Sequence, residues 1–82
     1  MKIKKIKVVE KSLKRQKVDG LAYLDRNLIE IEKDLNNKDK FSTLLHECLH
    51  HAFPDLVEDS ILRGEVILID VLWNQGYRKV NN

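Results

Sequence analysis

The sequence predicts an α+β domain, a small antiparallel β-sheet of two to three strands followed by two antiparallel helices. Three observations carry this reading. Short apolar runs rich in Ile, Val and Leu occupy the first third of the chain, with turn residues between them. Two longer stretches, 39–53 and 56–75, repeat apolar residues at helical spacing. Between them lies only Phe53-Pro54-Asp55, and so short a connection makes neighbouring helices run antiparallel.

Eighty-two residues suffice for one small domain, taken here as 1–82. A chain of this size buries only about 60–65% of its unfolded surface, so an ion, a partner or a second copy would add stability. A hydrophobic content of 43% with 34% charged residues excludes a disordered chain. The single cysteine, Cys48, excludes an intramolecular disulfide. No apolar run reaches transmembrane length, and the lysine-broken start lacks the apolar core of a signal peptide. The expected location is therefore cytoplasmic, with no membrane partner.

The charge is unevenly spread. Residues 1–17 carry eight basic side chains and one acid, Glu10, a net +7 against +2 for the whole chain, which leaves −5 for residues 18–82. A basic arm on an acidic body can meet nucleic acid or an acidic protein. The arm lacks the aromatic and glycine signatures of nucleic-acid modules. Lysines on the outer face of a first strand, guarding a sheet edge, are the preferred explanation.

Taken in order, Ile3, Ile6, Val8 and Val9 suit a strand, with Lys4-Lys5 breaking the alternation as a bulge would. Residues 10–17 read as a loop or a continuation of that strand, and Asp19-Gly20 as a turn. Leu21–Leu24 and Leu28–Glu32 form a hairpin around Asp25-Arg26-Asn27, with Asn27 suited to a left-handed conformation. Ile29 and Ile31 should face the core, and Glu30 and Glu32 the solvent. The first helix runs from about Asp39 to Ala52 or Phe53 and is stopped by Pro54. Asp55-x-x-Glu58 has capping-box spacing, and a second helix follows from about Leu56 to Asn74 or Gln75. Gly76 suits the position just past its end, with Tyr77 supplying an apolar contact and a frayed tail beyond.

The chemistry lies in His46-Glu47-Cys48-Leu49-His50, an H-E-x-x-H pattern within the first helix. Histidines four apart share a helical face and can reach one zinc ion, and the glutamate after the first is placed to act as general base toward a water. Phe41, Leu44, Leu45, Cys48 and Ala52 form an apolar stripe on the opposite side, so Cys48 reads as a small buried hydrophobe. On the second helix Glu58 and Glu65 share a face with Ile61, Leu62, Ile69 and Leu72. A metal between the helices would lie ~6 Å back from the end of the first, level with Glu58, whereas Glu65 is ~10 Å deeper. Glu58 is therefore the expected third ligand, and Glu65 a partner for Arg26, Arg63 or a backbone group. His51 reads as a surface residue or a support for the ligands, with an extra ligand or oxyanion donor as alternatives. Tyr23 and Tyr77 can each donate to an oxyanion but read first as packing residues. Trp73 is core or interface.

The run Thr43-Leu44-Leu45-His46-Glu47-Cys48-Leu49-His50-His51-Ala52-Phe53-Pro54-Asp55-Leu56-Val57-Glu58-Asp59 resembles small phage-type zincin metallopeptidase-like proteins, and is similar to minimal gluzincins (minigluzincins). The resemblance extends to roughly residues 17–78. It implies a Zn2+ site formed by His46, His50 and Glu58, Glu47 as general base, a peptide or protein substrate, and the cytoplasm of a bacterial host. The rival expectation is a catalytically idle zinc-binding protein that uses its basic face or Trp73 on a partner, alone or as a homo-oligomer.

Overall fold

A computed structural model describes residues 4–80. Ile3 of the expected first strand, and Asn81 and Asn82 of the expected tail, lie outside the described residues. The elements are β1 (Lys7–Lys11), β2 (Gly20–Tyr23), β3 (Leu28–Glu32), α1 (Asn37–Ala52) and α2 (Glu58–Asn74). They form the α+β arrangement anticipated from the periodicities.

The three strands lie in the order β1-β3-β2. β2 and β3 pair antiparallel, with Tyr23 opposite Leu28 and Gly20 opposite Ile31. β1 runs parallel to β3, from Lys7 beside Leu28 to Lys11 beside Glu32. The sheet is thus mixed rather than wholly antiparallel. The long 12–19 connection carries the chain from β1 past the central position to the far edge, and β3 then fills the gap. β1 begins only at Lys7, so Lys4-Lys5 precede the strand instead of bulging within it. Asn27 has φ 49° in the hairpin, in the left-handed region its short amide side chain tolerates.

The 12–19 connection does more than link strands. The amides of Gln16 and Lys17 both donate to the Leu13 carbonyl at 3.1 Å, closing a turn that drives Leu13 into full burial. The Leu13 and Asp34 amides donate to the two carboxylate oxygens of Glu32, each at 2.8 Å. Glu32 is therefore buried and not solvent-facing as its place in the alternation suggests. Two backbone donors, Leu13 first, satisfy the carboxylate and hold its pKa below the usual range. Glu30 keeps the outer face of the sheet, half-buried, and accepts from the Tyr23 hydroxyl at 2.9 Å.

Gly20 opens β2 and is not the turn residue that Asp19-Gly20 suggests; the chain bends at Asp19. A Cβ on Gly20 would lie 2.5 Å from Thr43 Cγ2 of α1 and 3.2 Å from Glu47 Cγ. Its lack of a side chain lets β2 press against the helix that carries the histidines.

α1 starts two residues before the expected Asp39, because the Asn36 side chain accepts from the Asp39 amide at 2.8 Å and caps it. The sheet lies on one side of α1 and α2 on another. Its buried residues are Glu47 and His51, while Cys48, expected in the apolar stripe, is exposed. The inward face is rotated from the most apolar one, because two packing surfaces flank the helix and the stripe falls partly between them.

α2 is antiparallel to α1: His50 meets Glu58 near one end of the pair, and Ser42 meets Glu65 farther along. Val57 is its N-cap and offers no side-chain hydrogen bond, so the Asp55–Glu58 capping box is not formed. The other end matches its expectation. Gly76 has φ +88°, its amide donates to Trp73 at 3.0 Å and the Tyr77 amide to Leu72 at 3.1 Å, the paired bonds of a Schellman ending. Tyr77 itself remains mostly exposed and adds little apolar burial there. Among the described residues the buried apolar core is small: Leu13, Ile29, Ile31 and Ile61.

Candidate metal centre

His46 and His50 are four positions apart on α1, about one turn, and both rings lie between α1 and α2. Their Nε2 atoms approach to 3.3 Å. Glu58, first residue of α2, brings Oε1 to 2.8 Å from His46 Nε2 and Oε2 to 3.2 Å from His50 Nε2. All three residues thus offer a ligand atom within 4.8 Å of the other two, a group that could hold a metal ion. Donors bound at 2.0–2.1 Å in a tetrahedral zinc site lie about 3.3 Å apart. The observed spacings are close to that edge, so the donor set fits such an ion in type and separation. The missing capping box has its reason here, since the Glu58 carboxylate turns to the histidines rather than back over its own helix.

Glu65 occupies a different part of the same assembly. Its Oε2 lies 2.8 Å from His46 Nδ1, and its Oε1 accepts from the Ser42 hydroxyl at 2.7 Å. The sequence suggested Arg26, Arg63 or a backbone group as its partner, and among the described residues it pairs with none of these. Reach explains the difference: the His46 ring spans the depth between the two glutamates, with one nitrogen toward each. A proton on Nδ1 donated to Glu65 leaves the Nε2 lone pair aimed at the Glu58 and His50 donors, the orientation a metal ligand requires. Ser42, one turn before His46, and Glu65, two turns after Glu58, are sequence signals that point to this pairing.

Burial alone disfavours a charged His46. The hydrogen bond that the ring donates to Glu65 and the charges of Glu47, Glu65 and Glu58 outweigh it, and the pKa of His46 lies above its usual value. For Glu47 burial acts first and raises the carboxyl above the usual range, against the opposing influence of His46 and His50. Among the described residues its carboxylate has no hydrogen-bond partner. It sits against Gly20 and faces an open cleft of about 340 Å³, lined by Asp19, Thr43, His46, Leu62 and Glu65 among others. Glu47 thus shares a cleft with His46 while remaining outside the three-donor group.

His51 is neither a surface residue nor a donor into the cleft. It is buried against the sheet, with Nε2 3.1 Å from the Leu28 carbonyl, and so ties α1 to β3. Tyr23 spends its hydroxyl on Glu30, and neither Tyr23 nor Tyr77 lines the cleft. Trp73 packs on Phe41 with ring centroids 5.7 Å apart and lies under the Arg78 guanidinium at 3.6 Å.

The fold and the site together define a small α+β domain with a two-histidine, one-glutamate group between its helices. No family model, curated protein or solved structure matches the chain.

Proposed function

We propose that this chain is a zinc-dependent metallopeptidase-like hydrolase of the minimal gluzincin kind, with His46, His50 and Glu58 as ligands and Glu47 as general base. The observation that carries the reading is the combination of three convergent donors with the largely buried Glu47 on the adjoining residue, whose carboxylate faces a cleft that it shares with His46. Zinc, when bound, supplies a Lewis acid that acidifies water and polarises a carbonyl. Glu47 accepts a proton from the attacking water and delivers it to the departing amine nitrogen, a role suited to a carboxyl whose pKa burial raises above its usual value. Glu65 holds the His46 ring in register through Nδ1. β2 ends the sheet beside Gly20 and the cleft, so its free edge can pair with an extended peptide.

A second reading has one observation in its favour. With only three apolar side chains fully buried among the described residues, an ion clamped between α1 and α2 would aid folding without any turnover. The test is zinc content per chain together with peptide-library turnover for the native protein and Glu47→Gln. One zinc per chain and turnover lost in the variant support the hydrolase. Zinc without Glu47-dependent turnover selects the idle site, and no zinc uptake removes both.

A further inference from the structure

The side of α2 turned away from α1 is uncovered among the described residues. Val66, Ile67 and Val71 are 66%, 65% and 54% exposed, and Leu62 is 44% exposed. Between them lie Arg63 and Asp70, both exposed and neither in an ion pair among the described residues.

We propose that this face pairs with the same face of a second copy, antiparallel, about a two-fold axis between Val66 and Ile67. The order of residues along α2 is self-complementary in that register. Arg63 faces Asp70 of the second copy and Asp70 faces its Arg63, giving two ion pairs. Val66 meets Ile67, Leu62 meets Val71, and Asp59 meets Asn74, each contact occurring twice. A two-fold axis produces such reciprocal contacts by construction. The parallel alternative sets Arg63 against Arg63 and Asp70 against Asp70, so charge selects the antiparallel pair. His46, His50 and Glu58 lie on the other side of α2, so pairing leaves the three donors uncovered, while Leu62, which also lines the Glu47 cleft, borders both surfaces. The inference is independent of the catalytic reading.

The test is the mass of the full chain by sedimentation equilibrium across about 1–100 µM, with circular dichroism to establish folding. The native chain should be dimeric at the upper end. Arg63→Asp and Asp70→Arg should each be monomeric there, since each places two like-charged pairs in the contact. Mixing the two variants one to one restores both ion pairs, and a heterodimer should form. The doubly exchanged chain, R63D with D70R, should again pair with itself and serves if either single variant is unfolded. A monomeric native chain, whether the face is bare or serves another partner, overturns the proposal. So does a dimer that survives both single exchanges, or a mixture and a double exchange that stay monomeric.

Discussion

Gly20→Ala is the sharpest test of how β2 and α1 fit together. The new methyl carbon would lie 2.5 Å from Thr43 Cγ2 and 3.2 Å from Glu47 Cγ and Oε2. Carbon atoms in ordinary contact stand about 3.5–4.0 Å apart, so the first approach is short by about 1 Å. Thr43 is β-branched and within α1, where its χ1 is restricted, so Cγ2 cannot simply swing clear. The strand must withdraw from the helix instead. Overpacking of this kind costs roughly 1–3 kcal/mol, offset by roughly 0.5–1 kcal/mol from the reduced freedom of the unfolded chain. A net loss of roughly 1–2 kcal/mol should lower the urea midpoint by about 1–2 M, for a slope near 1 kcal/mol/M in a small domain. Thr43→Ser removes the obstructing methyl, so G20A with T43S should recover most of the loss. A double-mutant cycle measures that coupling. If Gly20→Ala is neutral, or the serine recovers nothing, the close approach of β2 to α1 is not what requires glycine.

The remaining predictions concern the site, acid stability and the core. Glu58→Gln should weaken zinc binding at least ~10-fold, about 1.4 kcal/mol, in competition with a chelator. Glu65→Gln should weaken it by roughly 10–100-fold through loss of His46 orientation, still saturating at one ion per chain. Glu32→Gln should be less stable than the native chain above the ordinary carboxylate range, and the difference should vanish as acid protonates Glu32. Its native pKa is lowered, so its contribution is lost as pH falls, and thermal melts at about pH 7 and pH 3 check this. Leu13→Ala should cost about 2–5 kcal/mol by denaturant unfolding, as befits one of the few fully buried side chains.

The local features of the chain are legible along it. The hairpin around Asn27, both helices, the stop at Pro54 and the glycine ending of α2 follow from short-range rules and hold in the structure. So does the meeting of His46, His50 and Glu58, because helical rise and a connection of five residues, two longer than expected since α2 starts at Glu58 rather than near Leu56, leave few other depths for Glu58. The same rise kept Glu65 out of the donor group but did not foresee its contact with His46. It measures helix positions and omits the length of an imidazole, which carries His46 Nδ1 to the deeper glutamate.

Tertiary packing alone decided the rest. The parallel seating of β1 beside β3 depends on where the 12–19 connection crosses, and no local pattern records that path. Glu32 is buried because a turn closing on Leu13 brings an amide to it from nineteen residues away. His51 is inside and Cys48 outside because α1 is flanked by a sheet and a helix at once, so its inward face is set by two neighbours rather than by its most apolar stripe. Periodicity within a segment determines what that segment forms. The direction each face turns is fixed by the free energy of burying it against elements distant in sequence, which is why the three-donor group was readable from the chain and its buried surroundings were not.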